Sequence, residues 1–543
     1  MESADGNLQA LIEEFYDVWF RFHPDAALRA GIPGYAGKLP AVDDNEVGAL
    51  GSWLESTVVG LEEIDFHSLD AAGQLDTELL FGACRDEYQA ILERDWRHRD
   101  PLAFMPLETI CRLVQNADTD GYAAVESCLK ATPPFLLQAR SRLAEFPNLV
   151  PHIWIDAALK VGAAGTVFLK QLAVSGDTPG SVQTLCDEVV HALTDYLGFL
   201  EQHIAPVAEG AAACGWQRFQ EQLRLRHHMS DKLGDHLEMA RQVYQETLAE
   251  LGGLAFEQCG SVDPRVWLER LHNGSRLQGG ERLQYLRRRS NEIHYILSQS
   301  GLFRLPDAAG LKIRLMPEGY PFDCAPLYRP PADGVSGSQG VLYLEQKPLG
   351  AAVDTAEWLT AWCIRNAWPG LHLQAAEAGA SSVAGSLVRR LNRSSSQQLG
   401  WALYAEQLMR DSGLFSAPEQ ALHCLLERLR RSLMAVLDIE LHVHGMAVSG
   451  ALLQLQTLPG YGAEGAERDL QLLTRYPTQH LAGVVNWKLL DALRQWQSNS
   501  GEVDAAEFHA RLLAQGSVAT PLVIQRVFGQ QAWNWVEARV YNQ

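Results

Sequence analysis

The feature that most constrains the fold of this chain is a helical period repeated along nearly its whole length. Leu8, Leu11, Ile12, Phe15 and Trp19 follow at three- and four-residue steps, which places them on one stripe of a helix. Comparable stripes run through 45–64, 70–94, 119–145, 153–174, 182–206, 236–252, 281–300, 353–366, 397–412, 417–437, 465–474, 482–497 and 504–515. Breakers separate them at Ile32-Pro33-Gly34, Thr132-Pro133-Pro134, Gly176–Ser181, Leu251-Gly252-Gly253 and Gly301–Pro306. One region departs from this period. At 311–315 apolar residues alternate with Lys312 and Arg314, and a second alternating run at 341–345 follows a stretch rich in Pro and Gly. The expected fold is mainly α, with a small antiparallel β-sheet near 310–346 whose edge strand could hold an extended peptide.

With 543 residues the chain exceeds the size at which one core keeps growing. Its division is expected to give a helical N-terminal lobe over 1–252 and a second lobe over 253–543 that carries the sheet. The formal net charge of -21 repels phosphate, so neither nucleic acid nor an anionic membrane is an expected partner. The Arg clusters at 287–289 and 389–393 read as solvated helix faces. The opening MESADGNLQALIEEF has no basic or apolar leader pattern, and Lys160 and Lys170 interrupt 157–174, so neither a secretory signal nor a membrane span is expected. Nine cysteines lie scattered without a CxxC, the usage of reduced thiols in a cytoplasm. Cys324 and Cys363 read as small buried apolar residues.

Two segments carry a resemblance. Arg365-Asn-Ala-Trp-Pro-Gly-Leu-His-Leu-Gln374 and Leu399-Gly-Trp-Ala-Leu-Tyr-Ala-Glu406 resemble the paired motifs of a bacterial family called domain of unknown function 885, mostly helical proteins similar to zinc peptidases. Its usual motifs are H-E-x-x-P-G-H-x-x-Q and E-G-W-A-x-Y-x-E. Further likeness follows in order along most of the chain: His23-Pro24 to Leu39-Pro40, Thr132 to Leu143, Tyr328 to Gly334, Gly340 to Tyr343, Asp438 to Gly445, Arg475-Tyr476-Pro477 and Phe508-His509 through Gly516. The resemblance implies a large helical metallopeptidase-like body whose small sheet borders a cleft.

The chemistry implied by that family needs three zinc ligands and a glutamate that takes a proton from bound water. This sequence departs at each position. Arg365 stands for the first His, Asn366 for the base, Leu371 for the second His and Leu399 for the Glu of the second motif. A permanent cation, an amide and two leucines are hostile to a dication. The scaffold residues Pro369, Gly370, Gln374, Gly400, Trp401, Tyr404 and Glu406 are kept. The expectation is therefore a member without metal, cofactor or zinc-peptidase activity. A displaced site from His372, Glu406 and His442 is the alternative that would restore the metal.

What fills the cleft is read from the remaining polar residues. Arg365 needs an acidic partner if buried, and Glu406 or Asp438 would serve; its planar fork also suits a carboxylate or phosphate. Arg365, His372, Glu406, His442, Tyr476 and His509 are the candidate cleft and ligand-binding residues. His444 reads as a helix-end residue beside Gly445, while Trp368, Trp401 and Tyr404 read as core. Ser386 lacks the flanks of a nucleophile elbow. Three functions fit: a non-hydrolytic protein (a pseudoenzyme) that binds a peptide, small acid or protein; a metal-free enzyme with a repurposed site; and a zinc peptidase with displaced ligands.

Overall fold

The computed structural model describes residues 4–176, 178–273, 276–306, 310–316, 328–331, 339–345, 355–380, 386–392, 394, 396–415, 417–501 and 503–541. They fall into two compact units. One runs to Ala212 and takes in Met316; the other holds the remainder from Ala213.

The first unit is helical among its described residues. Helix Ala4–Phe22 buries Leu8, Ile12, Phe15 and Trp19, the stripe read from the sequence. Asp43 and Asp70 start the helices Asp44–Glu63 and Ala71–Tyr88 by accepting backbone N–H bonds of 2.9 and 2.7 Å. Buried Glu87 accepts from Trp19 Nε1 at 2.8 Å and pairs with His23 Nε2 at 2.9 Å. The break expected at Thr132-Pro133-Pro134 does not occur, because helix Ala123–Glu145 runs through both prolines. Its buried stripe continues from Leu129 to Phe135 and Leu136, and this packing outweighs the lost N–H bonds. Thr132 Oγ1 also donates to Cys128 O at 2.8 Å.

Helix His152–Val174 contains the stretch read as interrupted by Lys160 and Lys170. By length and composition it is apolar enough to cross a membrane, with 44% of its most apolar window buried. Lys160 and Lys170 both sit on its exposed side. Its small residues face neighbours closely: a Cβ on Gly162 would stand 2.6 Å from Leu197 Cδ2, and one on Gly165 2.4 Å from Leu107 Cδ1.

In the second unit, helix Leu233–Cys259 passes unbroken through Gly252 and Gly253, so the stop expected there is absent. It ends instead at Gly260, whose φ of 73° suits glycine and closes the helix. The lobe boundary read at 252/253 thus falls inside a helix, while the two units part at Ala212/Ala213. Helices Ser396–Asp411 and Gln479–Ser500 pack along each other, and Pro418–His442 packs on Leu233–Cys259 and Gln479–Ser500. A Cβ on Gly400 would lie 2.2 Å from Asn486 Nδ2, and one on Gly483 2.8 Å from Leu399 Cβ. These glycines set how closely the helix backbones approach.

The sheet has strands β1 (Leu311–Leu315), β2 (Tyr328–Arg329) and β3 (Gly340–Leu344) in the order β1-β3-β2. β3 pairs antiparallel with β2 but parallel with β1, with Leu311 opposite Gly340. The expected antiparallel sheet is therefore mixed. A two-residue alternation is the same in both pairings, and the connection from Leu315 to Gly340 is long enough for a crossover. Arg287 Nε and Nη2 donate to Ile313 O of β1 at 3.0 and 2.8 Å, and Arg389 is buried. Those two arginines are structural, not members of solvated faces. Six of the described cysteines are buried, Cys363 among them, and all are free thiols. Cys324 lies outside the described residues.

Candidate functional site

The two motif segments meet through one tryptophan. Helix Ala356–Asn366 starts at Thr355, whose Oγ1 accepts from Trp358 N at 3.1 Å, and helix Leu371–Ala380 follows the turn at Pro369-Gly370. A Cβ at Gly370 would stand 1.9 Å from Arg365 O, so only glycine fits this turn. Trp401, fully buried in helix Ser396–Asp411, donates Nε1 to Pro369 O at 2.9 Å and to Gly370 O at 3.2 Å. The second segment thereby fixes the turn of the first. Gln374 Nε2 donates to Gly516 O at 3.3 Å.

Beside this junction lies a buried cluster of charges. Arg365 Nη2 donates to Glu406 Oε1 at 2.6 Å, and its Nη1 lies 3.7 Å from Glu427 Oε2. Glu427 also accepts from Arg430 Nε at 3.0 Å, Arg430 Nη2 at 2.7 Å and Arg431 Nε at 2.8 Å. Arg430 Nη1 reaches both oxygens of Asp469, at 2.8 and 2.7 Å, and Asp469 accepts from Tyr461 at 2.5 Å. Burial works against charging every member. It pushes the Glu406 carboxyl up to about 7 against the pull of Arg365. For Glu427 burial is outweighed by Arg365, Arg430 and Arg431, which hold it well below the usual carboxylate range.

The cluster forms one wall of a cleft of about 200 Å³. Five arginines line it: 282, 365, 430, 431 and 468. Glu345 and Glu427 are the lining carboxylates, and Trp358, Trp362 and Tyr461 supply aromatic surface. Arg468 Nη1 pairs with Glu345 Oε1 at 3.1 Å. His423 also lines the cleft and is held down to about 3, by burial first and then by Arg365, so it is neutral. Of these groups only Arg365 was a sequence candidate. The others carried a local signal in Glu427, Arg430 and Arg431, spaced i, i+3, i+4 on one helix. Arg282, Glu345 and Arg468 come from three separate segments and had none.

The other sequence candidates are scattered. His372 is buried, with Nδ1 2.9 Å from the Tyr328 hydroxyl, and Trp368 lies against its ring. His442 accepts from Cys214 N at 3.1 Å through Nδ1 and donates Nε2 to Leu473 O at 2.9 Å. His509 donates Nδ1 to Leu302 O at 2.8 Å and accepts from the Tyr404 hydroxyl at 2.7 Å. Burial holds His509 down to about 4, so it is neutral too. Tyr476 is 38% exposed beside Arg475, away from the cleft lining. His444 is exposed next to Glu440, and Ser386 precedes the short helix Leu387–Arg390. Asp438 does not pair with Arg365. It accepts from the backbone N–H groups of Thr478, His480 and Leu481 at 3.1–3.2 Å. Asn366 turns its amide to Trp362 O at 2.8 Å, and Leu399 packs over Gly483. Among the described residues no three His, Cys, Asp or Glu side chains stand where they could share a metal ion. The displaced set of His372, Glu406 and His442 is not assembled, because each has its own local partner.

The model for "Bacterial protein of unknown function (DUF885)" matches residues 24–527. The chain belongs to this family. No curated protein matches it. Two solved structures share the family member's fold. One is a candidate lipoprotein of unknown function from Shewanella oneidensis, 15% identical, with a TM-score of 0.74 over 97% of this chain and 99% of that one. The other is a candidate lipoprotein from Colwellia psychrerythraea, 16% identical, with a TM-score of 0.78 over 99% and 100% of the two chains. These matches overturn the expected cytoplasmic location, since lipoproteins are membrane-anchored. The grounds for that expectation were the reading of the opening MESADGNLQALIEEF and the unpatterned cysteines.

Proposed function

We propose that this protein is a metallopeptidase-like scaffold that has lost its zinc site and binds a ligand in its cleft without hydrolysing it. The observation that carries the reading is the Arg365–Glu406 pair, 2.6 Å apart with side chains only 14% and 3% exposed. By the resemblance of the motifs, Arg365 stands where a first histidine ligand would be. A zinc ion does not fit these residues. A guanidinium cannot ligate it, Asn366 offers no proton acceptor, and Leu371 and Leu399 offer no donor atoms. Glu406 is already committed to Arg365.

A metal-free hydrolase at this place would need a base poised near neutral pH in the cleft. His423 is far too weak a base, Glu427 is held low by its arginines, Glu345 is paired with Arg468 at 3.1 Å, and Glu406 lies behind Arg365, outside the lining. Binding without turnover is the better reading. The test is to purify the protein in zinc-containing buffer, measure its metal content, and assay it against unstructured peptides. Zinc well below one equivalent and no cleavage are expected. Stoichiometric zinc together with chelator-sensitive cleavage would overturn the proposal.

A further inference from the structure

Among the described residues the cleft is lined by five arginines, with Glu345 and Glu427 as the lining carboxylates. Glu406 and Asp469 are taken up by Arg365 and Arg430. The whole chain carries -21, so this arginine-lined cavity runs against the overall composition.

The hydrogen bonds show which of these guanidiniums keep donors for a ligand. Glu427 is shared by Arg430 and Arg431 and lies near Arg365, one carboxylate among three cations. Arg430 is saturated by Glu427 and Asp469. Arg431 is not: its Nε is bonded to Glu427, and its two Nη groups have no acceptor among the described residues. Its side chain is 23% exposed on the cleft wall. Arg468 is similar, with only Nη1 engaged, by Glu345, and 28% exposure. Two guanidinium forks with open donors thus line one cavity that Trp358 and Trp362 also line.

We infer that this cleft is a binding site for a small, multiply charged anion, a compact polycarboxylate or phosphate, taken by the open donor edges of Arg431 and Arg468. Planar forks match the paired oxygens of either group. The cavity of about 200 Å³ lies below the roughly 300–1,000 Å³ of sites for drug-sized ligands, which favours a small acid over a long peptide. The inference rests on the reading of the cleft as a binding site, and it names the ligand class.

The test uses the full chain and two probes, citrate and inorganic phosphate, titrated at constant ionic strength with chloride as the control. Saturable binding of one or both by calorimetry, with a rise in melting temperature that chloride does not reproduce, is expected; which probe binds more tightly separates the carboxylate from the phosphate source. Arg431→Gln and Arg468→Gln should each weaken binding about 10-fold or more, the loss of one charge-assisted contact. Arg468 is the more exposed of the two and guards against a folding defect in the Arg431 variant. The site is refuted if neither probe saturates, or if both folded variants bind as tightly as wild type. The outcome is separable from the loss of the zinc site. Zinc-dependent cleavage would sink that reading and leave the anion isotherm standing, whereas a flat isotherm in an inactive protein sinks the anion site alone.

Discussion

Arg365 is a cation taken almost out of water, and Glu406 is the group that makes this tolerable. Removing one partner of such a pair leaves an uncompensated charge, at a cost of about 3–5 kcal/mol. Arg365→Ala is accordingly expected to lower unfolding free energy in urea by about that amount. Replacing both partners with apolar residues, Arg365→Met with Glu406→Leu, should recover most of the loss, because the desolvation penalty goes with the charges. A single-variant loss below about 1 kcal/mol, the scale of an exposed pair, would show that the pair does not anchor the helices. Glu406 also has a pH signature. Burial, working against Arg365, raises it from 4.5 to about 7, so between those values the folded chain holds a proton that the unfolded chain has released. Its contribution is present below about 4.5 and is lost as pH rises through about 7. Glu427, held low, contributes in the opposite sense and loses its share as pH falls. In thermal melts across pH 4.5–7.5 the advantage of wild type over Glu406→Gln should therefore shrink with rising pH; a constant gap would contradict it.

At the scale of elements, two glycines decide how the motif helices come together. A methyl at Gly370 would meet a backbone carbonyl, Arg365 O, at 1.9 Å, and backbone cannot move aside without breaking the turn that Trp401 holds. A methyl at Gly400 would meet Asn486 Nδ2 at 2.2 Å, the end of a side chain that can rotate. Gly400→Ala should cost about 1–3 kcal/mol as an overpacked helix contact. Gly370→Ala should cost clearly more, up to loss of the folded protein. Urea midpoints of the two variants decide the order, and equal small losses would mean that the turn has slack. The element scale also shows where sequence patterns hold. Amphipathic helices such as Ala4–Phe22 and Pro418–His442 were legible from their stripes. Thr132-Pro133-Pro134 and Leu251-Gly252-Gly253 read as breaks and are helix interiors, because tertiary packing there outweighs local propensity. Strand pairing was not legible, since β1 and β3 alternate alike whether they run parallel or antiparallel.

At the scale of the whole molecule, an acidic chain carries a cleft whose described lining holds five arginines. Net charge predicts repulsion of long polyanions at a distance, but it does not describe a cavity lined by five arginines.

By itself the sequence determined the helical class, the family and the need of Arg365 for an acidic partner once buried. These are local facts of period, spacing and side-chain chemistry. It offered both Glu406 and Asp438 as that partner, and only the packing of helices Ala356–Asn366 and Ser396–Asp411 selected Glu406, while Asp438 serves the backbone at 478–481. The tertiary structure alone dispersed His372, His442 and His509 into separate buried contacts, and it alone brought Arg431 of one helix and Arg468 of another to a common cavity. The physical reason is range. Helix period and capping act over a few residues, whereas a cleft is made by side chains far apart in sequence that burial brings together.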